Sequence, residues 1–111
     1  ILGAGGNRDN SKRIHMGKAS QSAEKIIITN DNPRNEDELQ IAKQILEGID
    51  LKKNVEIILD RKEAISKGIN LLDGESTLLI LGKGHEEYQE INGKFHKFND
   101  AKIVEQIIGN T

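Results

Sequence analysis

The stretch Leu78-Leu79-Ile80-Leu81-Gly82-Lys83-Gly84-His85-Glu86-Glu87-Tyr88-Gln89 decides the fold. Its aliphatic run, Leu78 to Leu81, reads as a buried strand. The run stops at two glycines, which let the backbone turn sharply and approach a ligand closely. A cation, an imidazole and two carboxylates sit between and after them. A strand that ends abruptly at such a cluster is how an open α/β sheet builds a site at its carboxyl edge. Two more apolar runs end the same way. Ile26-Ile27-Ile28-Thr29 leads into Asp31-Asn32-Pro33-Arg34, and Ile1-Leu2 leads into Gly3-Ala4-Gly5-Gly6-Asn7-Arg8-Asp9. In a parallel sheet all three clusters lie on one edge.

The segments between these runs have helical character. A helix is expected over about Arg13 to Ser22, and a strand over Lys25 to Thr29. Asn35, with Glu38 three residues later, reads as a capping box opening a second helix. Leu39, Ala42, Ile45, Leu46 and Ile49 fall on one face of that helix at the 3.6-residue period, and Gly48 lies near its end. Val55 to Leu59 reads as a strand. Asp60 and Glu63 repeat the capping signal before a helix striped by Ile65, Ile69 and Leu72, which Asp73-Gly74 ends. Thr77 to Leu81 is the next strand. Asn92-Gly93 between Glu87–Ile91 and Lys94–Phe98 is the strongest short hairpin signal. Asn99 is placed to cap a last helix burying Ala101, Val104, Ile107 and Ile108. Lys52-Lys53-Asn54 reads as a connector. Strand–helix alternation with Val/Ile/Leu-rich strands predicts an α/β domain, a mainly parallel sheet covered by helices, with the hairpin as an antiparallel edge.

Composition narrows the function. The 111 residues suit one domain with a modest core. With 16 basic and 18 acidic residues the net charge is -2, so no positive field points to nucleic acid. Tyr88, Phe95 and Phe98 offer no base-stacking platform. The absence of cysteine excludes disulfides and thiolate-bound metals. No run is long and apolar enough to span a bilayer and no signal peptide opens the chain, so a cytosolic domain is expected. The chain begins with Ile, and its first strand keeps two residues before the glycines. A C-terminal piece of a larger protein, or a chain with its front removed, is therefore expected.

Each cluster has a chemical and a plain reading. Free N–H groups in Gly3 to Asp9 suit a phosphate, helped by Arg8, Lys12 and Arg13; the alternative is a tight strand-to-helix turn. In Asp31-Asn32-Pro33-Arg34, Pro33 fixes its own φ and limits Asn32. The stiff loop aims Arg34, whose planar fork suits a carboxylate; the alternative is an ordinary turn into a helix. In Gly82 to Gln89, Glu86 or Glu87 is able to receive an ammonium, with Glu87 the more ordinary surface residue. His15 and His96 read as surface residues, and the three histidines have no metal-ligand spacing.

Taken in order, Gly3-Ala4-Gly5-Gly6-Asn7-Arg8-Asp9, Lys12-Arg13, Met16-Gly17, Asp31-Asn32-Pro33-Arg34 and Leu81-Gly82-Lys83-Gly84-His85-Glu86 resemble the C-terminal domain of the Mur ligases. The likeness covers nearly the whole chain. It is strongest to the members that build the UDP-N-acetylmuramyl tripeptide. Asn7 stands where the family usually has Asp, Ile14 where proline is common, and Lys18 to Lys25 is slightly short.

The resemblance implies a Rossmann-like, three-layer domain over residues 1–111, with the sugar-binding and central ATPase domains absent from this chain. It implies an ATP-dependent amide ligase of peptidoglycan precursor synthesis, acting through an acyl phosphate and releasing ADP and phosphate. The acceptor amino acid would join UDP-N-acetylmuramyl-L-Ala-D-Glu. Arg34 would grip its distal carboxylate, with Asp31 and Asn32 beside it. Gly82 and Glu86 would face its distal end, and Arg8 would reach the same substrate. Asn7 and Asp9 would lie toward ATP, while the central domain holds most of ATP and Mg2+. Arg34 implies meso-diaminopimelate, or a similar diamino diacid such as lanthionine, rather than L-lysine. The parent enzyme is expected to be bacterial, cytoplasmic and monomeric, without nucleic-acid partners, and this fragment is not expected to turn over alone. A peptide-handling Mur-type ligase and a non-catalytic ligand-binding module are the competing readings.

Overall fold

A computed structural model describes residues 1–50 and 54–109. Its elements are α1 (Arg13–Ala19), β1 (Ile26–Ile28), α2 (Glu38–Leu46), β2 (Val55–Ile57), α3 (Arg61–Asn70), β3 (Tyr88–Ile91), β4 (Lys94–Lys97) and α4 (Asp100–Gly109). Short 3-10 turns, Asn10–Lys12 and Ser20–Ser22, flank α1. Lys52 and Lys53 of the expected connector lie outside the described residues.

β1 is the centre of the molecule, and all three of its isoleucines are buried. On one side it pairs in parallel with β2, Ile26 opposite Val55 and Ile28 opposite Ile57. Hydrogen bonds from Ile58 N to Ile28 O (2.9 Å) and Asn30 N to Leu59 O (3.4 Å) carry this pairing up to the Asp31 loop. On its other side Leu2 bridges Ile28 in parallel. Next comes Leu79–Leu81, tied to Ile1 by Ile1 N to Leu79 O (2.9 Å) and Leu81 N to Ile1 O (3.0 Å). That is the slanted bonding pattern of parallel strands. The spatial order is therefore β2, β1, Ile1–Leu2, Leu79–Leu81. The chain steps one way from its first strand and then returns to the other side of it, as in a doubly wound α/β fold. The switch point lies between the Gly3 loop and the Gly82 loop.

The period of two along β1 splits the core into two faces. Ile26 and Ile28 pack with Leu2, Ala4, Ile41, Ala42, Ile45 and Ile49, under α1 and α2. Ile27 points the other way, toward α3 with its buried Ala64 and Ile65. The α1 and α2 backbones touch. A Cβ on Gly17 would fall on the Ile45 carbonyl oxygen, and one on Gly48 on that of Ile14.

Several sequence expectations change here. The capping residue of α2 is Asp37, which accepts from Leu39 N, rather than Asn35. Asn35 is displaced because Glu36 N bonds Pro33 O (3.0 Å), closing a turn before the helix begins. Leu39 then faces outward, while Ile41 takes the core position. Asp60 does cap α3, accepting from Lys62 N and Glu63 N, but Leu72 is exposed beyond its end. Leu78–Leu81 is not a fully buried strand. Leu79 is 63% and Leu81 53% exposed, because this segment is the edge of the sheet and its partner contributes little beyond Ile1. The hairpin forms its own two-stranded sheet, Tyr88↔Lys97 to Ile91↔Lys94. It joins the rest of the molecule through the Arg34 backbone, with Arg34 N to Glu90 O at 2.9 Å and Asn92 N to Arg34 O at 2.6 Å. Asn99 caps α4 through Lys102 N (3.0 Å). Yet α4 buries Asp100 rather than Ala101 or Ile108, and Val104 and Ile107 are half-buried.

Candidate functional site

The Asp31–Arg34 loop is held rigid from beneath. Two buried side chains, Arg61 and Gln89, support it. Arg61 Nη1 donates to Asn30 O (2.9 Å), and Gln89 Nε2 donates to Asp31 O (2.7 Å). Arg61 Nη2 also reaches Leu81 O (3.2 Å), the residue before Gly82. One guanidinium thus sets the roots of two site loops. Its charge is met by Asp100, at 2.8 Å from both Nε and Nη2.

Arg34 sits at φ 54°, a conformation unusual for a residue with a side chain. Strain of that kind persists only where the surroundings over-determine it. Both its backbone bonds to the hairpin and its side chain do so. Nη1 donates to Gly6 O (3.0 Å) and to Asn32 O (3.4 Å), and Nε lies 3.3 Å from the Glu90 carboxylate. Nη2 carries none of these bonds. The guanidinium is therefore aimed, with one edge still open.

The Gly82–Glu86 turn meets this loop face to face. Gly82 has φ 113°, and a Cβ there would stand 2.8 Å from Asp31 Oδ2. Lys83 is 2% exposed, and its Nζ donates to Asn32 Oδ1 (2.8 Å). The same Nζ is 3.6 Å from Asp31 Oδ1 and 3.9 Å from Glu86 Oε1. Asn32 Nδ2 donates to Glu86 Oε1 (3.4 Å), and Glu90 N donates to Asn32 Oδ1 (3.0 Å). Burial raises the Asp31 carboxyl above its ordinary range, opposed by the Lys83 and Arg61 charges.

The Gly3–Asp9 loop closes the third side. A Cβ on Gly6 would fall on the Pro33 carbonyl oxygen, so only glycine lets the two loops touch. A Cβ on Gly5 would stand 2.9 Å from Arg34 Nη1 and 3.5 Å from Arg8 Cγ, so Arg34 and Arg8 flank one glycine. Arg8 is exposed. The expected phosphate cradle is corrected in two respects. Gly6 N donates to Asn32 O (2.7 Å) and Asn7 N to Glu36 Oε1 (3.0 Å), so these N–H groups are already used. Arg13 is buried, bonded to Glu36 (2.6 and 3.0 Å), Gln44 (2.6 Å) and Gly5 O (2.9 Å). It fastens the loop to α2 and is not offered to a ligand. These bonds hold the Glu36 carboxyl below its ordinary range. Asp9 accepts from Ser11 N (2.9 Å), opening the turn before α1.

Of the expected site residues, Asp31, Asn32, Arg34, Gly82 and Glu86 are brought together, with Arg8 beside Arg34. Asn7 and Asp9 lie exposed on the outer part of the glycine loop. Sequence reasoning missed Lys83, Gln89, Arg61 and Asp100 as parts of the site's frame. Lys83 had a signal, a lone cation between two glycines. Arg61 and Asp100 had none, being charges 39 positions apart with ordinary helix-start neighbours. Glu87 is exposed, as expected, near Asn99 and Lys102. His15, His85 and His96 are all exposed. Among the described residues no group of three or more His, Asp or Glu side chains suits a metal ion. The arrangement brings the guanidinium groups of Arg34 and Arg8 and the carboxylates of Asp31 and Glu86 to one set of loops, which suits a zwitterion.

Comparison with known proteins agrees with this layout. The family model described as "Mur ligase, glutamate ligase domain" matches residues 1–84. A UDP-N-acetylmuramoyl-L-alanyl-D-glutamate–2,6-diaminopimelate ligase of Aquifex aeolicus is 48% identical over 110 residues, covering 98% of this chain and 23% of the relative. A protein of the same name from Rickettsia bellii is 50% identical over 105 residues, 94% of this chain and 22% of the relative. A solved structure of a ligase with that name superimposes with a TM-score of 0.91 at 40% identity, over 98% of this chain and 23% of that one. The chain thus spans less than a quarter of the length of these relatives. With the family model matching residues 1–84 of the 111, and relatives of 48% and 50% identity covering nearly the whole chain, the chain belongs to the Mur ligase family, as its glutamate ligase domain.

Proposed function

We propose that this chain is the acceptor-binding domain of an ATP-dependent ligase that adds meso-diaminopimelate, or a similar diamino diacid such as lanthionine, to UDP-N-acetylmuramyl-L-Ala-D-Glu. The supporting observation is an aimed Arg34, Nη1 3.0 Å from Gly6 O, in the same loop as Asp31 and as Asn32, whose Nδ2 lies 3.4 Å from the Glu86 carboxylate. The printed names of the relatives point the same way.

A diamino diacid presents a carboxylate and an ammonium far from its reacting amine. Arg34 takes that carboxylate through its open edge, with Arg8 alongside. Glu86 and Asp31 receive the ammonium, and the Gly82 backbone lies against the ligand. Held at its distal end, the acceptor keeps its other amine free and oriented. Orientation of that kind converts a bimolecular attack into an effectively unimolecular one. The amine nitrogen attacks the carbonyl carbon of an acyl phosphate, an amide C–N bond forms, and the phosphate leaves with the C–O bond pair. ATP supplies the activating phosphoryl group, with ADP as product. Asn7 and Asp9 face the nucleotide side, while the rest of the parent enzyme holds ATP and Mg2+. The parent is read as a bacterial cytoplasmic monomer.

The test is ADP release by the full-length parent with the UDP-muramyl dipeptide, ATP, and meso-diaminopimelate, lanthionine or L-lysine in parallel. Turnover with the diacids and little with L-lysine is expected. Preference for L-lysine would overturn the role given to Arg34, and no turnover with any amino acid would overturn the amino-acid-adding reading in favour of a peptide-handling ligase or a non-catalytic module.

A further inference from the structure

Lys83 takes no part in the chemistry proposed for the acceptor, yet it is the most buried charge at the acceptor loops. Its side chain is 0% exposed. It therefore cannot touch a ligand and can act only through its neighbours. Those neighbours are Asn32, Asp31 and Glu86, at 2.8, 3.6 and 3.9 Å from Nζ.

The contact with Asn32 has a directional consequence. A carboxamide has one accepting end and one donating end. Asn32 Oδ1 is met by Lys83 Nζ (2.8 Å) and by the Glu90 backbone N–H (3.0 Å), two groups that only donate. Turning the amide over would set its NH2 against both. The flip is thus fixed by chemistry. Nδ2 must face away from both donors, toward solvent, where it reaches Glu86 Oε1 (3.4 Å) with one hydrogen and has a second to offer an acceptor. Without the ammonium, one of the two donors that fix the amide is gone. Asp31 and Glu86 would also lose the cation between them.

Resting on the proposed function, we propose that Lys83 is a positioning residue for acceptor selection: its buried ammonium fixes the Asn32 carboxamide with the NH2 toward the acceptor and keeps Asp31 and Glu86 apart at set positions. The cleft then offers a donor for a carboxylate oxygen beside acceptors for an ammonium. This is a selection of charge pattern and not a catalytic contact.

The experiment uses the full-length enzyme and steady-state kinetics for all three substrates. Lys83→Met is expected to raise the KM for meso-diaminopimelate about tenfold, the size of one lost charge-assisted contact. The KM values for ATP and the UDP-dipeptide should stay within about twofold, as should kcat, because the group acts on acceptor binding alone. Asn32→Ala should raise the same KM. In the Asn32→Ala background, Lys83→Met should add little, since residues acting as a unit are non-additive. Effects that multiply, or a rise shared by all three KM values, would overturn the inference and leave Lys83 as a structural residue. Asn32→Asp covers the case in which Lys83→Met does not fold. Its carboxylate still accepts from Lys83 and Glu90 N but has no hydrogen to present, so the acceptor KM should rise while that for ATP does not. An unchanged acceptor KM in Asn32→Asp would also overturn it. Wild-type enzyme that turns over no diamino diacid would overturn the proposed function and this inference with it.

Discussion

Arg13, at the start of α1, and Arg34, in the Asp31 loop, are the same residue type, and their surroundings give them opposite uses. Arg13 is 1% exposed, and its terminal nitrogens are consumed by Glu36, Gln44 and Gly5 O. Arg34 keeps one edge open. Composition does not separate the two, because what decides is which glycine lets another backbone approach. Gly6 is that residue here. Gly6→Ala drives a methyl group into the Pro33 carbonyl, and overpacking of this kind should cost about 1–3 kcal/mol or more. Urea unfolding of the 111-residue chain would check it. A change below about 0.5 kcal/mol, the size of a neutral surface substitution, would contradict the close approach. Glu36 carries a pH signature. Its carboxyl is held below the ordinary 4.5, chiefly by the Arg13 side-chain bond. A depressed carboxyl contributes stability above its unfolded pKa and loses it as pH falls through the folded one. Asp31, raised by burial, runs the other way. Glu36→Gln should therefore lower stability at neutral pH and flatten the loss below about pH 4.5. Stability curves of equal slope for both proteins would contradict it.

At the scale of elements, the strand ends were legible because each apolar run stops at residues that cannot continue a strand. The parallel order was legible from strand–helix alternation. What the sequence hid is the support between elements. Asn35 looked like a cap, but a turn through Pro33 O moves the helix start to Asp37. The apolar residues of α4 looked like core, but its buried residue is Asp100, paired with Arg61 at 2.8 Å. No local pattern foretells a pair formed by two helix starts far apart in the chain. Removing one partner of a buried pair strands the other charge, which costs about 3–5 kcal/mol. Asp100→Ala should thus destabilise the chain by about that much, against about 1 kcal/mol for loss of the exposed Asp60 cap in Asp60→Ala. Equal losses from the two substitutions, measured by urea unfolding, would show that Arg61 does not depend on Asp100.

For the whole molecule, the order β2, β1, Ile1–Leu2, Leu79–Leu81 brings the three loops to one edge. Helices cover both faces, so this edge is where the proposed acceptor would meet the sheet. No described helix is long and apolar enough to cross a membrane. The site's outline was legible as three clusters after three strands. Its inner frame of Lys83, Gln89 and Arg61 was not, since burial is a property of the assembled loops. At that edge Arg34 is proposed to receive the acceptor's distal carboxylate. The KM for meso-diaminopimelate in the full-length enzyme, wild type against Arg34→Ala with the ATP KM as control, measures this directly. Loss of one charge-assisted contact, about 2 kcal/mol, should raise the acceptor KM by roughly thirtyfold and leave the ATP KM unchanged. An unchanged acceptor KM would contradict the claim.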